Sequence, residues 1–197
     1  MLNVFFISPQ AVSLWGDYFL DRGLNMAVYD YSNLERAEAY RILADFFLIA
    51  PDEDMLRSLK DDFELESEET ADEIQRDFDL LFTYPEGKLP PIESFFLTLE
   101  NTSNAEEVSA YYASAGLEIE EEFELIPDHL YLELLFMSYL IETNRFDLQK
   151  KFLEEHLMNW VPYYCDELIR QAKTSFYREI AEITRDFLIA DSEEEIQ

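Results

Sequence analysis

Apolar positions along this chain return at three- and four-residue intervals and rarely alternate, which predicts helices rather than strands. Leu34, Ala37, Tyr40, Leu43, Ala44, Phe47 and Leu48 form the first such stripe. Ser32-Asn33-Leu34-Glu35 opens it with the S-x-x-E form of a capping box, and Pro51 ends it. Asp52 to Lys60 reads as a short second helix. Ser67 is expected to cap a third, in which Ile74, Phe78, Leu81 and Phe82 lie beneath an acidic outer face. Tyr84-Pro85-Glu86-Gly87 breaks the pattern, and Pro90-Pro91 delays its return. Ser103-Asn104-Ala105-Glu106 is another capping box, opening a helix that should stop at Gly116 in the C′ position.

A polar, acidic stretch from Glu118 to Glu124 follows, the best candidate for a hinge between two halves (within 117–127). Pro127 disfavours helix at Ile126, and Asp128 is a good N-cap residue. The next helix is therefore expected to begin at His129, with Glu133 one turn along on the same face. Further helices are expected at about 129–142, 145–158, 162–176 and 177–190, with Asn144 and Pro162 as starting points for two of them. Residues 191–197 should fray. No strand-like alternation persists and no internal repeat is visible. The predicted architecture is all-α, a single helical bundle whose N- and C-terminal halves are joined by the acidic hinge. Only four glycines and seven prolines are present, little material for hairpin turns, which agrees.

Composition narrows the function classes. At 197 residues the chain can bury one substantial core, and 48% hydrophobic with 15% aromatic residues is unlike a disordered acidic tail. The single cysteine, Cys165, excludes an intramolecular disulfide and suits a reducing, cytoplasmic compartment. A formal net charge of −30, from 44 acidic against 14 basic residues, disfavours nucleic acid and anionic membrane surfaces as partners. It favours a basic partner, or simply solubility, since most acids in such chains solvate helix faces. The first 25 residues contain apolar positions but no basic n-region, and Pro9, Gln10 and Asp17 interrupt them. They read as an extension, with Met26 an alternative start, before an all-helical domain over 26–190. No direct membrane insertion is expected.

Enzyme signatures are absent: no Gly-rich phosphate loop, no G-x-S-x-G elbow, no H-E-x-x-H helix. The two histidines, His129 and His156, cannot make a histidine-rich metal site. The pair His129 and Glu133 approaches the di-metal Glu-x-x-His spacing only in reverse order and one residue longer. A non-enzymatic role without cofactor or metal is expected. The most informative stretch is Glu124 to Met137, where a polar Pro127-Asp128-His129 step precedes an apolar helix carrying Glu133. Such an element offers a polar corner at the mouth of an apolar surface, suited to binding. Asp128 reads as an N-cap with one carboxylate oxygen left for a cation. His129 is either a satisfied first-turn histidine or a ligand-facing group. His156 and Trp160, four apart, read as core packing. Pro90, Pro91, Glu93 and Ser94 form a kinked connector, with Ser94 capping the next helix. Phe95, Phe96, Tyr111 and Tyr112 read as core aromatics, and Tyr84 and Pro85 as exposed.

The Pro-Asp-His step with its E-L-x-F-M helix resembles the signature of the TorD/DmsD/NarJ chaperones, which mature molybdenum-containing redox enzymes. Leu89 to Leu97, LPPIESFFL, resembles that family's Pro-rich Glu-Ser-aromatic segment. Phe152 to Pro162, FLEEHLMNWVP, resembles its F-x-x-x-H-L-x-x-W-x-P segment, and YSNLERAEAYRILADFF also fits. The resemblance spans roughly residues 30 to 190, in the expected order. It implies a TorD-type bundle and a cytoplasmic chaperone for the leader peptide or apo form of a molybdopterin-containing oxidoreductase subunit, before export or assembly. Such leaders often carry a twin-arginine step and an apolar stretch. An apolar groove would take the stretch, while Asp128, Glu133, Glu93 and Glu124 at its edge would pair with the arginines. Pro127, His129, Tyr84, Pro85, Pro91 and Ser94 complete the expected leader-binding set. The family varies at the first position of the Pro-Asp-His step, and its NarJ-like branch serves enzymes that stay on the cytoplasmic side, so client and export route remain open. A monomer and a dimer swapped through 118–124 are both compatible. Two other readings stand beside this one: an acidic scaffold or nucleic-acid mimic that captures basic proteins, and a carboxylate-lined metal enzyme.

Overall fold

Leu130 to Met137 is buried without interruption, so the helix that carries it is apolar on every side and has to sit at the centre of the molecule. A computed structural model describes residues 33–63, 65–83, 85–97, 104–119 and 125–193. Among them the helices are α1 (Asn33–Asp45), α2 (Glu53–Asp62), α3 (Ala71–Phe82), α4 (Glu93–Phe96), α5 (Asn104–Ser114), α6 (Leu130–Glu142), α7 (Phe146–Phe152), α8 (Met158–Gln171) and α9 (Ser175–Glu193). A π-helical turn, Leu153–Leu157, joins α7 to α8. The central α6 packs most extensively against α1, and α8 against α9. The described residues contain no strand, only an isolated antiparallel bridge between Ile92 and His129. The all-α expectation therefore holds. No helix among the described residues is long and apolar enough to cross a membrane.

Local signals fix several ends as expected. Asp52 caps α2 through a 2.8 Å bond from the Met55 amide. Gly116 has φ +80°, and the amides of Gly116 and Leu117 bond back to Ala113 and Tyr112, both at 2.9 Å. That is the Schellman closure, and glycine supplies its left-handed residue without steric penalty. The capping boxes at Ser32 and Ser103, the hinge residues 120–124, and the N-terminal extension lie outside the described residues.

The N-cap of α7 is Arg145 rather than Asn144, and apart from this and the start of α6 three boundaries differ from expectation. The cap of α3 is Thr70, in a capping box with Glu73, rather than Ser67. Ser67 instead donates to Glu69 (2.7 Å), whose carboxylate accepts from the Ser175 amide and hydroxyl, tying this segment to the start of α9. Pro162 lies inside α8, not at a helix start, because the chain stays helical from Phe146 to Gln171. Buried Phe152, His156, Trp160, Tyr164 and Leu168 recur at strict intervals of four, which drift around a 3.6-residue helix. The wider π turn among them resets that drift and keeps the stripe inward.

The third difference is at the C-terminus. Asp191, expected to fray, is buried and forms an ion pair with Arg36 of α1. Its Oδ2 also accepts from Arg36 Nη2 (3.0 Å) and Tyr40 Oη (2.7 Å). Arg36 Nη1 reaches Gln149 (3.1 Å), which donates to the Leu140 carbonyl (3.0 Å). The long-range partners, invisible in local pattern, extend α9 to Glu193.

Candidate functional site

Three segments far apart in the chain meet at the start of α6. Pro91 lacks an N–H, but its carbonyl accepts from the Leu130 amide (2.8 Å), and the Glu93 amide donates to the Asp128 carbonyl (2.9 Å). These two bonds hold the prolyl connector beside the Pro-Asp-His step. The carboxylate of Asp128 then accepts from the Ser94 amide (2.8 Å). Ile92, the N-cap of α4, offers no side-chain cap, so Asp128 supplies one from across the bridge.

This geometry corrects two expectations. Asp128 does not cap α6, and Ser94 does not cap α4. His129 caps α6: its backbone is extended (φ −78°, ψ 131°), and its Nδ1 accepts from the Tyr131 amide (3.2 Å). An accepting Nδ1 puts the proton of the neutral ring on Nε2. Burial pushes the pKa of His129 down to about 4, so the ring is uncharged at neutral pH.

Beneath this bridge lies a polar cluster closed to solvent. Glu93 is 2% exposed, and Asp128 and Glu133 are not exposed at all. Glu93 pairs with His156 Nδ1 at 3.1 Å, and Glu133 accepts from Trp160 Nε1 at 3.1 Å. His156 is stacked on Phe152 and meets the edge of Tyr111. Tyr112 closes the α5 side by donating to the Pro127 carbonyl (2.9 Å). Burial, then the charge of Glu93, raises the Glu133 carboxyl well above the usual carboxylate range, with the Trp160 bond acting in opposition. Burial and the same carboxylates raise the Tyr112 phenol.

The expected groove-edge carboxylates are therefore not at an edge. Glu93, Asp128 and Glu133 lie under the surface because each carries a buried structural bond. What the surface retains is half-buried Ser94, Pro127 and His129, with Phe95 39% exposed. Phe95 is thus not a core aromatic, whereas Phe96 packs on the rings of Trp160 and Tyr164. Pro91 is buried, and Pro85 is exposed on the turn after α3. Gly87 in that turn admits no Cβ, which would lie 2.7 Å from the Leu81 carbonyl oxygen. Tyr164 anchors the chain beyond it through the Leu89 carbonyl (3.1 Å). Tyr84 and Glu124 lie outside the described residues.

Two groups escaped the reading of the chain. His156 and Trp160 are polar partners of the cluster as well as core residues; their four-residue spacing, matched to two acids elsewhere, was the available signal. Asp45 lines a shallow apolar pocket with Ile42, Phe46, Ile49, Pro51, Met55 and Leu59. Burial there raises its pKa to about 7, against the pull of Arg41.

Residues 48–166, which include all three converging segments, match the family described as nitrate reductase delta subunit. The chaperone protein TorD of Vibrio parahaemolyticus is 27% identical over 135 residues, covering 61% of this chain and 63% of that protein. DmsD of Haemophilus influenzae, described as a probable Tat proofreading chaperone, is 37% identical over 57 residues, covering 29% of this chain and 28% of that one. The chain thus spans less than two thirds of the length of these relatives. A candidate redox enzyme maturation protein from Archaeoglobus fulgidus shares the fold at 20% identity, with a TM-score of 0.53 over 84% of this chain and 98% of that chain.

Proposed function

The chain belongs to the nitrate reductase delta subunit family, and from that premise we propose that it is a cytoplasmic chaperone for redox-enzyme maturation. Its client is the leader peptide or apo catalytic subunit of a molybdenum-dependent oxidoreductase, held until assembly or export. The role is binding, not catalysis. The observation that carries this reading is the convergence of Pro91–Ser94, Asp128–Glu133 and His156–Trp160 into one bonded unit. Two main-chain bonds and the Asp128 carboxylate on the Ser94 amide hold Ser94 and Phe95 beside Pro127 and His129, so these four form a pre-organised contact surface.

Each group has a matching chemistry in a basic, apolar leader. The exposed part of the Phe95 ring gives apolar contact. The neutral His129 ring offers an Nε2 donor to a peptide carbonyl. Buried Asp128 acts by fixing the Ser94 backbone rather than by direct contact. The net charge of −30 speeds encounter with a basic segment and makes it salt-sensitive.

The test is affinity capture from native-host extract after anaerobic respiratory growth, with bound proteins identified by mass spectrometry. The expected result is a molybdenum oxidoreductase catalytic subunit, released by high salt or by its free leader peptide. Recovery of basic nucleic-acid-binding proteins alone would sink this reading in favour of an acidic mimic.

A further inference from the structure

Asp45 occupies a position that disfavours a carboxylate on three counts. It is the last residue of α1, at the negative end of the helix dipole, and no basic residue stands in that last turn. It shares the pocket between α1 and α2 with Ile42, Phe46, Ile49, Pro51, Met55 and Leu59, all apolar. Among the described residues none donates a hydrogen bond to its side chain. Arg41, one turn earlier on the same face, is the local partner that helix geometry offers. Arg41 is turned instead toward α6, where it pairs with Glu142 and donates to Ser138 (3.2 Å). A side chain that breaks local rules without compensation inside the fold points to a function.

We propose that this pocket docks an arginine side chain of a partner polypeptide, with Asp45 as its counter-charge and the apolar walls of α1 and α2 taking its stem. A half-buried carboxylate without a donor selects a cation, and the net charge of −30 draws basic segments toward it. The apolar walls select against a fully hydrated ion. A metal ion would find one carboxylate among hydrocarbon side chains, too few ligands to replace its water. Guanidinium is weakly hydrated, pairs with a carboxylate through two parallel bonds, and carries an apolar stem that packs on such walls. The pocket is shallow, so it takes one side chain rather than a folded surface. It shares no residue with the surface around His129 and does not rest on the chaperone reading.

The site carries its own signature. Burial raises the Asp45 pKa to about 7, and Arg41 offsets only part of that. An arginine binds the ionised form, so docking releases a proton and tightens as pH rises through about 7. The groups facing Asp45 are Arg41 on α1 and Tyr131 on α6. Arg41 stays charged throughout this range, and the raised Tyr131 phenol stays neutral. Cations held loosely by exposed acids show no such step, since those acids are already ionised well below neutral pH.

The probe is an acetylated, amidated peptide with one arginine between leucines, set against the same peptide carrying uncharged citrulline. Both are titrated by calorimetry into the full chain at about pH 6 and about pH 8. The expected result is that the arginine peptide binds about tenfold tighter at the higher pH, while the citrulline peptide binds weakly at both. The Met55 methyl resonance, from the pocket wall, should shift with the arginine peptide alone. Asp45→Asn should weaken binding about tenfold at the higher pH and abolish the pH step. Glu53→Gln, which removes an exposed acid of α2, should change neither. Equal affinity for the two peptides, binding of neither, or undiminished affinity in Asp45→Asn overturns the proposal. Failure to capture a client leaves these titrations unchanged and bears only on the chaperone role.

Discussion

The indole N–H of Trp160 meets Glu133 Oε2 at 3.1 Å in a site where both side chains are closed to solvent, joining α8 to the first turn of α6. A buried acceptor that loses its donor retains the full cost of desolvation. Trp160→Phe should therefore destabilise the protein by about 1–3 kcal/mol for the lost bond, beyond any change in packing. Trp160→Phe combined with Glu133→Met should cost less than the sum of the two, because Glu133→Met removes the acceptor as Trp160→Phe removes the donor. Urea denaturation of the four proteins measures the coupling; strict additivity would mean that the bond contributes nothing.

Asp128 and His129 separate into two structural tasks, so a double alanine substitution is a poor test of binding. Asp128→Ala removes the trans cap of α4, and His129→Ala removes the cap of α6, each at about 1 kcal/mol. His129→Asn keeps a good capping side chain while deleting the ring. It should leave helical content intact and lower leader affinity several-fold in calorimetry. Unchanged affinity would remove His129 from the contact surface.

The elements that were legible in the chain are those whose ends are written locally: Asp52 before α2, Gly116 after α5, and the long apolar run of α6. The cap of α6 moved by one residue because the carbonyl of Asp128 is committed to Glu93 and its carboxylate to Ser94. Those partners lie more than thirty residues upstream, beyond any window of periodicity. The three signature segments were readable as motifs, but their burial was not. An acid on a helix reads as a solvated face until its donor is known, and the donors of Glu93 and Glu133 are 63 and 27 residues away. Thr70-Ala71-Asp72-Glu73 carries the full capping-box form, whereas Ser67-Glu68-Glu69-Thr70 has no acid or amide at N3.

Asp45 and His129 should oppose each other in the pH dependence of stability. The Asp45 pKa is raised to about 7, so its native form holds a proton that the unfolded chain has lost. Its contribution is fully present below about pH 3.9 and lost as pH rises to about 7. The His129 pKa is lowered to about 4. Its contribution is present above about pH 6.5 and lost as pH falls toward 4. Relative to the unaltered protein, Asp45→Asn should therefore gain stability progressively from about pH 4 to 7, by about 1–3 kcal/mol. His129→Asn should instead lose its acid sensitivity over the same interval. Denaturation midpoints collected across this range decide it, and parallel profiles for all three proteins would count against both assignments.

Asp191 is the anchor that brings the end of α9 back onto α1. Its carboxylate accepts from Arg36 and Tyr40 while both donors are buried. Removing one partner of a buried ion pair costs about 3–5 kcal/mol, since the other charge stays in the core without its counter-charge. Asp191→Ala should thus lower the thermal midpoint by more than any single surface substitution on α9, and truncation at Ala190 should do the same. Asp191→Asn retains two acceptor lone pairs on its carbonyl but no charge, and should fall between. A chain end that merely frayed would tolerate all three changes, so equal midpoints for wild type and Asp191→Ala would return residues 191–193 to the solvent.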